Sequence, residues 1–299
     1  METQSPPRQT LILSCGMQKG GVAKTTNSLH LAVALAERGR RVLLWDVDEN
    51  YGATKVLGIP PNGFWTTMNV LTGDCRAEDA VLAFDDEELD IELPGGVDFI
   101  PSSRNLQAVE KALAAQDRFY NPNDCLRPHI EELRGLARYD YVILDTGPHA
   151  SPTTRGAYMV SDYFLLSVIP EKQAVASLPD ALSDIANARR ADRNPGLHLL
   201  GVIVSCIDRR KTLARAYEEA IEQRFRDARE KPVKFRTTIS SAAAIDRAYQ
   251  QKATVLQTEP SHKVSVQYRE LASEVEERIA EHEAERLRGV GGGEAVANA

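Results

Sequence analysis

Gly16-Met17-Gln18-Lys19-Gly20-Gly21-Val22-Ala23-Lys24-Thr25-Thr26 joins the apolar run Thr10–Cys15 directly to a helical pattern marked by Leu29, Val33 and Ala36. Strand, glycine-rich loop and helix in that order make a cradle for phosphates. Glycines let backbone N–H groups converge on an anion, and the helix N-terminus adds a favourable dipole. In this context Lys24 reaches the β- and γ-phosphates and the Thr25 hydroxyl ligates Mg²⁺. The strict pattern GxxxxGK[ST] is not met, because Gln18 and Ala23 stand at its two glycine positions. Taken alone, the loop also reads as an ordinary glycine-rich turn between a strand and a helix.

Two further segments follow in the order such a site requires. Val42-Leu43-Leu44-Trp45-Asp46-Val47-Asp48 closes an apolar run with carboxylates at i and i+2, which point the same way from an extended chain. At the carboxyl edge of a parallel sheet they face the phosphates. In isolation they read as solvated loop acids. Tyr141-Val142-Ile143-Leu144-Asp145 is an apolar strand ending in one Asp, the form of a Walker B strand whose Asp holds Mg²⁺ through water.

Around these motifs, short apolar runs alternate with helical patterns. The runs are Thr10–Cys15, Arg41–Asp46, Val97–Pro101, Tyr141–Asp145, Phe164–Ile169, Leu199–Cys206 and Val233–Thr237. Their near-continuous apolar character predicts strands buried on both faces. The fold class is therefore α/β, a mostly parallel twisted sheet with helices on both faces. Tyr51 to Ala83 predicts only short helices and loops. Ala214, Tyr217 and Ile221 mark a later helix. A last long helix starts near Ser261, with Tyr268, Leu271, Val275 and Ile279 as its buried stripe. Residues 1–9 read as a flexible N-terminus, 10–285 as one phosphate-binding domain, and 286–299 as a flexible tail rich in charge and glycine. Asp85 to Glu92 reads as a solvated acidic loop.

The 299 residues are 42% hydrophobic and 26% charged, as in a globular protein with a sizeable core. Net charge is −7, so contact with nucleic acid needs a local basic patch. Cys15, Cys75, Cys125 and Cys206 form no CxxC pair, which points to reduced thiols in the cytoplasm. No apolar run approaches the ~20 residues of a membrane span.

Lys19-Gly20-Gly21-Val22-Ala23-Lys24-Thr25-Thr26 resembles the deviant Walker A loop KGGxxKT[ST] of the ParA/MinD ATPases, which position chromosomes, plasmids and other cargo. Val42 to Asp48 is similar to the family's "VLLxDxD" segment and Tyr141 to Asp145 to its Walker B strand. Leu199-Leu200-Gly201-Val202-Ile203-Val204 resembles its "LLGxxV" strand, and Tyr268 to Val275 its closing "YxxLAxEV" helix. The resemblance spans roughly residues 9 to 280. It implies a P-loop NTPase fold and a homodimer that sandwiches two ATP molecules with Mg²⁺. Lys19 is then the lysine that reaches the partner's nucleotide and neutralises charge in phosphoryl transfer. Lys24 and the loop backbone over Gly20, Gly21, Val22, Ala23, Thr25 and Thr26 hold phosphates in cis. Asp48 positions or activates the attacking water, Asp46 supports the magnesium shell, and Thr25, Asp48 and Asp145 are its metal-side residues.

The resemblance also separates branches. The tail Glu281-His282-Glu283-Ala284-Glu285-Arg286-Leu287-Arg288 lacks the basic amphipathic face of a membrane-targeting MinD helix, and no cysteine stands in the switch region after Asp145 to hold a cluster. The ParA branch binds non-specific double-stranded DNA, works with a ParB-like partner and associates with the nucleoid. Its DNA-binding arginine corresponds to Arg210, beside Arg209, Lys211 and Arg215, with Arg247, Lys252, Lys263 and Arg269 as further cations. The short N-terminus leaves no room for a helix-turn-helix. Thr146-Gly147-Pro148-His149 departs from the family's Pro-Pro-Ser, and Ile239-Ser240-Ser241-Ala242 from its "IPRN". Two functions follow. One is a partner-stimulated ATPase that drives plasmid or chromosome partition. The other is a nucleotide-locked scaffold or MinD-like positioner for another cargo.

Overall fold

The apolar runs become the strands of one parallel sheet. The computed structural model describes residues 9–289, apart from 18, 61, 88, 90, 107, 110–120, 173–175, 191, 209–211 and 227–230. Among the described residues six strands pair, β1 (Leu11–Gly16), β2 (Val42–Asp46), β3 (Val97–Ile100), β4 (Tyr141–Asp145), β5 (Tyr163–Val168) and β6 (His198–Val204). Their order is β3-β2-β4-β1-β5-β6, all parallel. The helices are α1 (Lys24–Glu37), α2 (Gly52–Val56), α3 (Thr67–Thr72), α4 (Arg127–Gly135) and α5 (Pro152–Val160). They continue with α6 (Leu178–Ala188), α7 (Thr212–Arg224), α8 (Ala243–Gln250), α9 (Val255–Thr258) and α10 (Lys263–Leu287).

Strand side chains alternate between two cores, as the period of a pleated strand requires. Ile12, Leu43, Trp45, Val142 and Leu144 pack beneath α4 to α7, against Ile130, Leu133, Tyr158 and Ile185. Leu13, Cys15, Leu44, Ile143 and Leu165 pack beneath α1 and α10, against Leu29, Val33, Tyr268 and Leu271. Each fully buried aliphatic side chain contributes about 1.5–3 kcal/mol over its exposed state. The largest buried side chain, Trp45, also needs a partner for its indole N–H. Nε1 donates to Thr67 Oγ1 at 2.9 Å, and that hydroxyl donates to the Asp46 carbonyl at 2.6 Å. The first residue of α3 is thereby tied to the end of β2.

The strand expected over Val233–Thr237 is the one departure in the sheet. Phe235 N–H donates to Val202 O at 3.0 Å and Val202 N–H to Val233 O at 3.1 Å, but the ladder is then interrupted and resumes only at Ile239, whose N–H donates to Val204 O at 2.9 Å. The next donors, Arg236 N–H and Thr237 N–H, go to the buried Glu274 carboxylate of α10 at 2.9 and 3.1 Å. Arg278 takes the carbonyls of Val233 and Lys234 at 2.7 and 2.8 Å. Side chains from a helix thus replace strand partners, and the segment is a bridge instead of a strand.

The short helices expected within Tyr51 to Ala83 are α2, α3 and a 3₁₀ turn at Glu78–Ala80. The last helix starts at Lys263, capped by His262, whose Nδ1 accepts from Val264 N–H at 3.1 Å. It continues to Leu287, beyond the domain end expected at 285. The flexible N-terminus over residues 1–8 and the tail over 290–299 lie outside the described residues. The described acids of the Asp85 to Glu92 loop are exposed, and none of the four cysteines is in a disulfide. No helix among the described residues is long and apolar enough to cross a membrane.

The Thr67 hydroxyl gives the first test. Thr67→Val keeps the volume but strips a donor and an acceptor from two buried partners. It should cost about 1–3 kcal/mol of unfolding free energy in urea. A loss below ~0.5 kcal/mol would show that the tie contributes nothing.

Candidate functional site

β1, β2 and β4 end side by side and bring the glycine-rich loop, the Asp46–Asp48 segment and Asp145 to one rim. Asp46 and Asp145 are register partners on adjacent strands, and Cys15 pairs with Asp145 from β1. The loop then enters α1 without a side-chain cap and with no acidic residue in the first turn. The first N–H groups of that helix are left to an external anion. Ala23, at the N-cap, has φ 63°, a left-handed conformation that costs an L residue roughly 1–2 kcal/mol. Gly21 is left-handed as well, with φ 71°.

Lys24 is buried and its Nζ donates to the carbonyl of Lys19 at 2.8 Å. Burial holds this ammonium below its ordinary pKa, while Asp145 and Asp48 pull it back up. No described group engages the ammonium of Lys19, which is half-buried. The two lysines of the loop therefore have different roles in the structure. One closes the loop from within, and the other is engaged by no described side chain.

Asp145 is fully buried. Ser28 Oγ, one turn after Lys24, donates to its Oδ1 at 3.0 Å, while no described group lies within hydrogen-bond geometry of its Oδ2, the Thr25 hydroxyl being near enough only to lower the carboxyl's pKa. Burial pushes this carboxyl up to about 7. The Asp48 charge adds to the rise, and the Thr25 and Ser28 hydroxyls oppose it. Cys15 beneath it is pushed up to about 12 by burial and then by Asp145, so it is an inert thiol. Asp46 is also held well above the carboxylate range, by burial and then by Asp145. Its oxygens are engaged: Oδ1 accepts from Asp48 N–H at 3.1 Å, and Oδ2 from Thr54 N–H and Oγ1 at 2.9 and 2.7 Å.

Asp48 is nearly buried, and its Oδ1 accepts from the backbone and side-chain amides of Asn50 at 2.8 and 3.0 Å. Ser102 Oγ donates to its carbonyl at 2.8 Å. The opposite wall is Gly147, where a methyl group would sit 2.8 Å from Asp48 Oδ1. That close approach fixes glycine in the departing segment Thr146-Gly147-Pro148-His149. His149 itself is exposed.

Asp145 Oδ2 supplies the fit test for a magnesium ion. A buried carboxylate oxygen to which no described group donates, with the Thr25 hydroxyl close to the same carboxyl, is an oxygen donor set suited to a hard cation. Among the described residues no group of three or more His, Cys, Asp or Glu forms a complete metal cage.

Behind the loop lies a buried hub that sequence reading missed. Asn27 Oδ1 accepts from Ser205 Oγ at 3.0 Å and Tyr268 OH at 2.9 Å, and Ser167 Oγ donates to Val22 O at 3.0 Å. His30 stacks on Tyr268 with ring centroids 4.7 Å apart, and burial holds it near 4, so it is neutral. Ser28 and Asn27 carried a signal in their helical spacing from Lys24. Thr54, Asn50 and Ser102 carried none, because they meet the aspartates through turns.

The expected DNA residues are placed less completely. Arg209, Arg210 and Lys211 lie outside the described residues. Arg247 Nη2 pairs with Glu259 at 2.7 Å, and Arg269 Nε with Glu37 at 2.6 Å. A groove of about 1420 Å³ opens at the opposite, amino end of the sheet, where Tyr163 donates to Glu283 at 2.7 Å and His198 stacks on His282. It is remote from the phosphate rim.

Residues 10–199 match a family model described as an AAA domain. The chain is 33% identical over 218 residues to the chromosome partitioning protein ParA of Caulobacter vibrioides, covering 72% of this chain and 77% of that one. It is 31% identical over 264 residues to the chromosome-partitioning ATPase Soj of Thermus thermophilus, covering 88% and 94%. A cobyrinic acid a,c-diamide synthase of Mycobacterium smegmatis, solved with bound ADP and magnesium, superposes with a TM-score of 0.71. It is 25% identical over 96% of this chain and 98% of its own.

The raised carboxyls set a pH dependence. The Asp145 carboxyl rises from 3.8 to about 7, so the folded state binds more protons than the unfolded state between those values. Ligand-free stability from this group is therefore full below pH ~4 and is lost as pH climbs through ~7. Asp46 titrates in the same direction, whereas His30, held low, titrates in the opposite one. Subtracting Asp145→Asn from wild type isolates the carboxylate pair. In magnesium-free buffer that difference should fall by on the order of 2 kcal/mol between pH ~5 and ~8. A difference that is flat with pH would contradict the assignment.

Proposed function

The chain belongs to the ParA/MinD-type P-loop ATPases, and from that premise we propose that it is a DNA-partition or cargo-positioning ATPase timed by its own dimerisation. ATP with Mg²⁺ binds at the rim, two subunits close over two nucleotides, and hydrolysis releases them. The observation that carries the reading is the division of labour between the loop lysines. Lys24 turns inward to the carbonyl of Lys19, while no described group engages the ammonium of Lys19. A cation beside the phosphate edge that no described group engages suits a partner's triphosphate.

In this reading the loop N–H groups over Gly20 to Thr26, with Lys24, hold the phosphates. Thr25 and Asp145 hold the metal side, and bound Mg²⁺ neutralises charge on the phosphates. Asp46 acts through its neighbours: it fixes Asp48 N–H and Thr54, and so the turn that carries Asp48. Asp48 Oδ1 is occupied by Asn50, so Oδ2 orients the attacking water. Water oxygen bonds to the γ-phosphorus as its bond to the β–γ bridging oxygen breaks, giving ADP and phosphate.

Non-specific DNA binding by the ATP dimer, through Arg209, Arg210, Lys211 and Arg247, and a ParB-like partner complete the proposal for a nucleoid-associated protein. The Arg247–Glu259 ion pair favours a second reading in which that half of the patch is not available to phosphates and the dimer carries another cargo. A gel shift on random duplex DNA separates the two. ATP-dependent binding that weakens in Arg210→Ala supports DNA, and absent or ATP-independent binding supports the cargo reading.

The decisive experiment is light scattering with ADP, ATP and a non-hydrolysable analogue. Mass should double with ATP and Mg²⁺ and stay single for Lys19→Ala. Asp48→Ala should dimerise but lose about 10²-fold or more in turnover. A wild-type chain that stays a single subunit under saturating ATP and Mg²⁺ would reject the proposal.

A further inference from the structure

Tyr51 stands just beyond Asp48 with φ 45° and ψ 51°, a conformation that bulky L residues rarely adopt. Such a residue persists only where its surroundings over-determine it, and these places cluster at working sites. Its backbone is tied at both ends: Tyr51 N–H donates to the Asp48 carbonyl at 2.9 Å, and Tyr51 O accepts from Lys55 N–H at 3.0 Å. Its side chain is gripped by two elements. Arg104 Nε, from the segment after β3, donates to the phenol oxygen at 3.1 Å. Lys55 Nζ, from α2, lies 3.9 Å from the ring centroid, in cation–π contact.

The turn has a use. Within it Asn50 gives both its bonds to Asp48 Oδ1, and Gly52 follows directly against Thr25, where a methyl would sit 3.0 Å from Oγ1. A left-handed residue at 51 lets the chain reverse tightly enough for Asp48, Asn50 and Thr25 to share one corner. Glycine would take that conformation without strain. This chain uses a tyrosine and two cations to hold it.

We infer that Tyr51, clamped by Arg104 and Lys55, is a positioning residue that fixes the Asp48 carboxylate for the hydrolytic step. The inference rests on the ATPase reading above. It separates two roles of the turn: Tyr51 acts on the chemical step and not on nucleotide capture.

Steady-state ATPase rates of four variants test it. Tyr51→Ala keeps the strain and loses the clamp, so kcat should fall about tenfold with KM within about twofold. Tyr51→Gly needs no clamp and should keep kcat within about threefold. Arg104→Ala should lower kcat about fivefold beside Tyr51 but less than about twofold in the Tyr51→Gly background. A second readout needs no turnover. The ¹⁵N side-chain amide signal of Asn50 should shift in Tyr51→Ala and hold in Tyr51→Gly. Tyr51→Ala with wild-type kcat and an unmoved Asn50 signal overturns the inference. So does an Arg104→Ala effect equal in both backgrounds, or a lowered melting temperature with kcat intact. Wild-type turnover no higher than that of Asp48→Ala would instead reject the ATPase reading, and the Asn50 signal would still decide for or against Tyr51.

Discussion

A carboxylate buried at the meeting of three strand ends, with one oxygen lacking a donor, is the constraint on which the rim depends. Asp145 sits between Cys15 and Asp46, and among the described residues none gives its Oδ2 the hydrogen bond that most buried acid oxygens find. The surrounding residues limit the cost without removing it. Ser28 satisfies one oxygen, the Lys24 ammonium lies near, and Thr54 draws Asp46 away. Protonation relieves the rest in the ligand-free protein. A hard cation does so better, and whatever binds the folded form alone shifts its stability by mass action.

That electrostatic arrangement explains why the loop and the aspartates were legible before any coordinates. Phosphate and metal chemistry demands particular residue types at strand ends, and strand ends in a parallel sheet are recognisable as apolar runs that stop at Gly16, Asp46 and Asp145. The sheet and both cores were legible for the same reason. The geometry of the aspartates was not. Which oxygen of Asp48 is engaged depends on Asn50 and on the missing side chain of Gly147, and Asp46 depends on Thr54 in a separate helix. None of these contacts has a periodicity. The strand expected at Val233–Thr237 failed in an instructive way. Its residues suit a strand, but beyond Phe235 the N–H groups of Arg236 and Thr237 go to Glu274, far along the chain, and not to β6.

The surface cations show a similar limit. The sequence suggests a basic stripe that includes Arg247 and Arg269, yet Arg247 pairs with Glu259 and Arg269 with Glu37, and elsewhere on the surface Arg38 and Arg40 converge on Glu276 and Arg236 on Glu277. Each exposed pair contributes little to stability. Together the pairs made by α10 staple it to α1 and to the bridging segment beyond β6. Net charge therefore says less about this face than pairing does.

Both lateral borders of the sheet are closed, and by unrelated means. Next to β3, Leu82 exchanges hydrogen bonds with Phe99 in an antiparallel bridge. Beyond β6, Glu274 and Arg278 occupy the polar groups that a further strand would use. An unprotected border invites pairing with another polypeptide, and thence fibrils or swapped assemblies. The final helix thus also guards against misassembly, and damage to it would be felt as insolubility of the chain before any loss of its nucleotide chemistry.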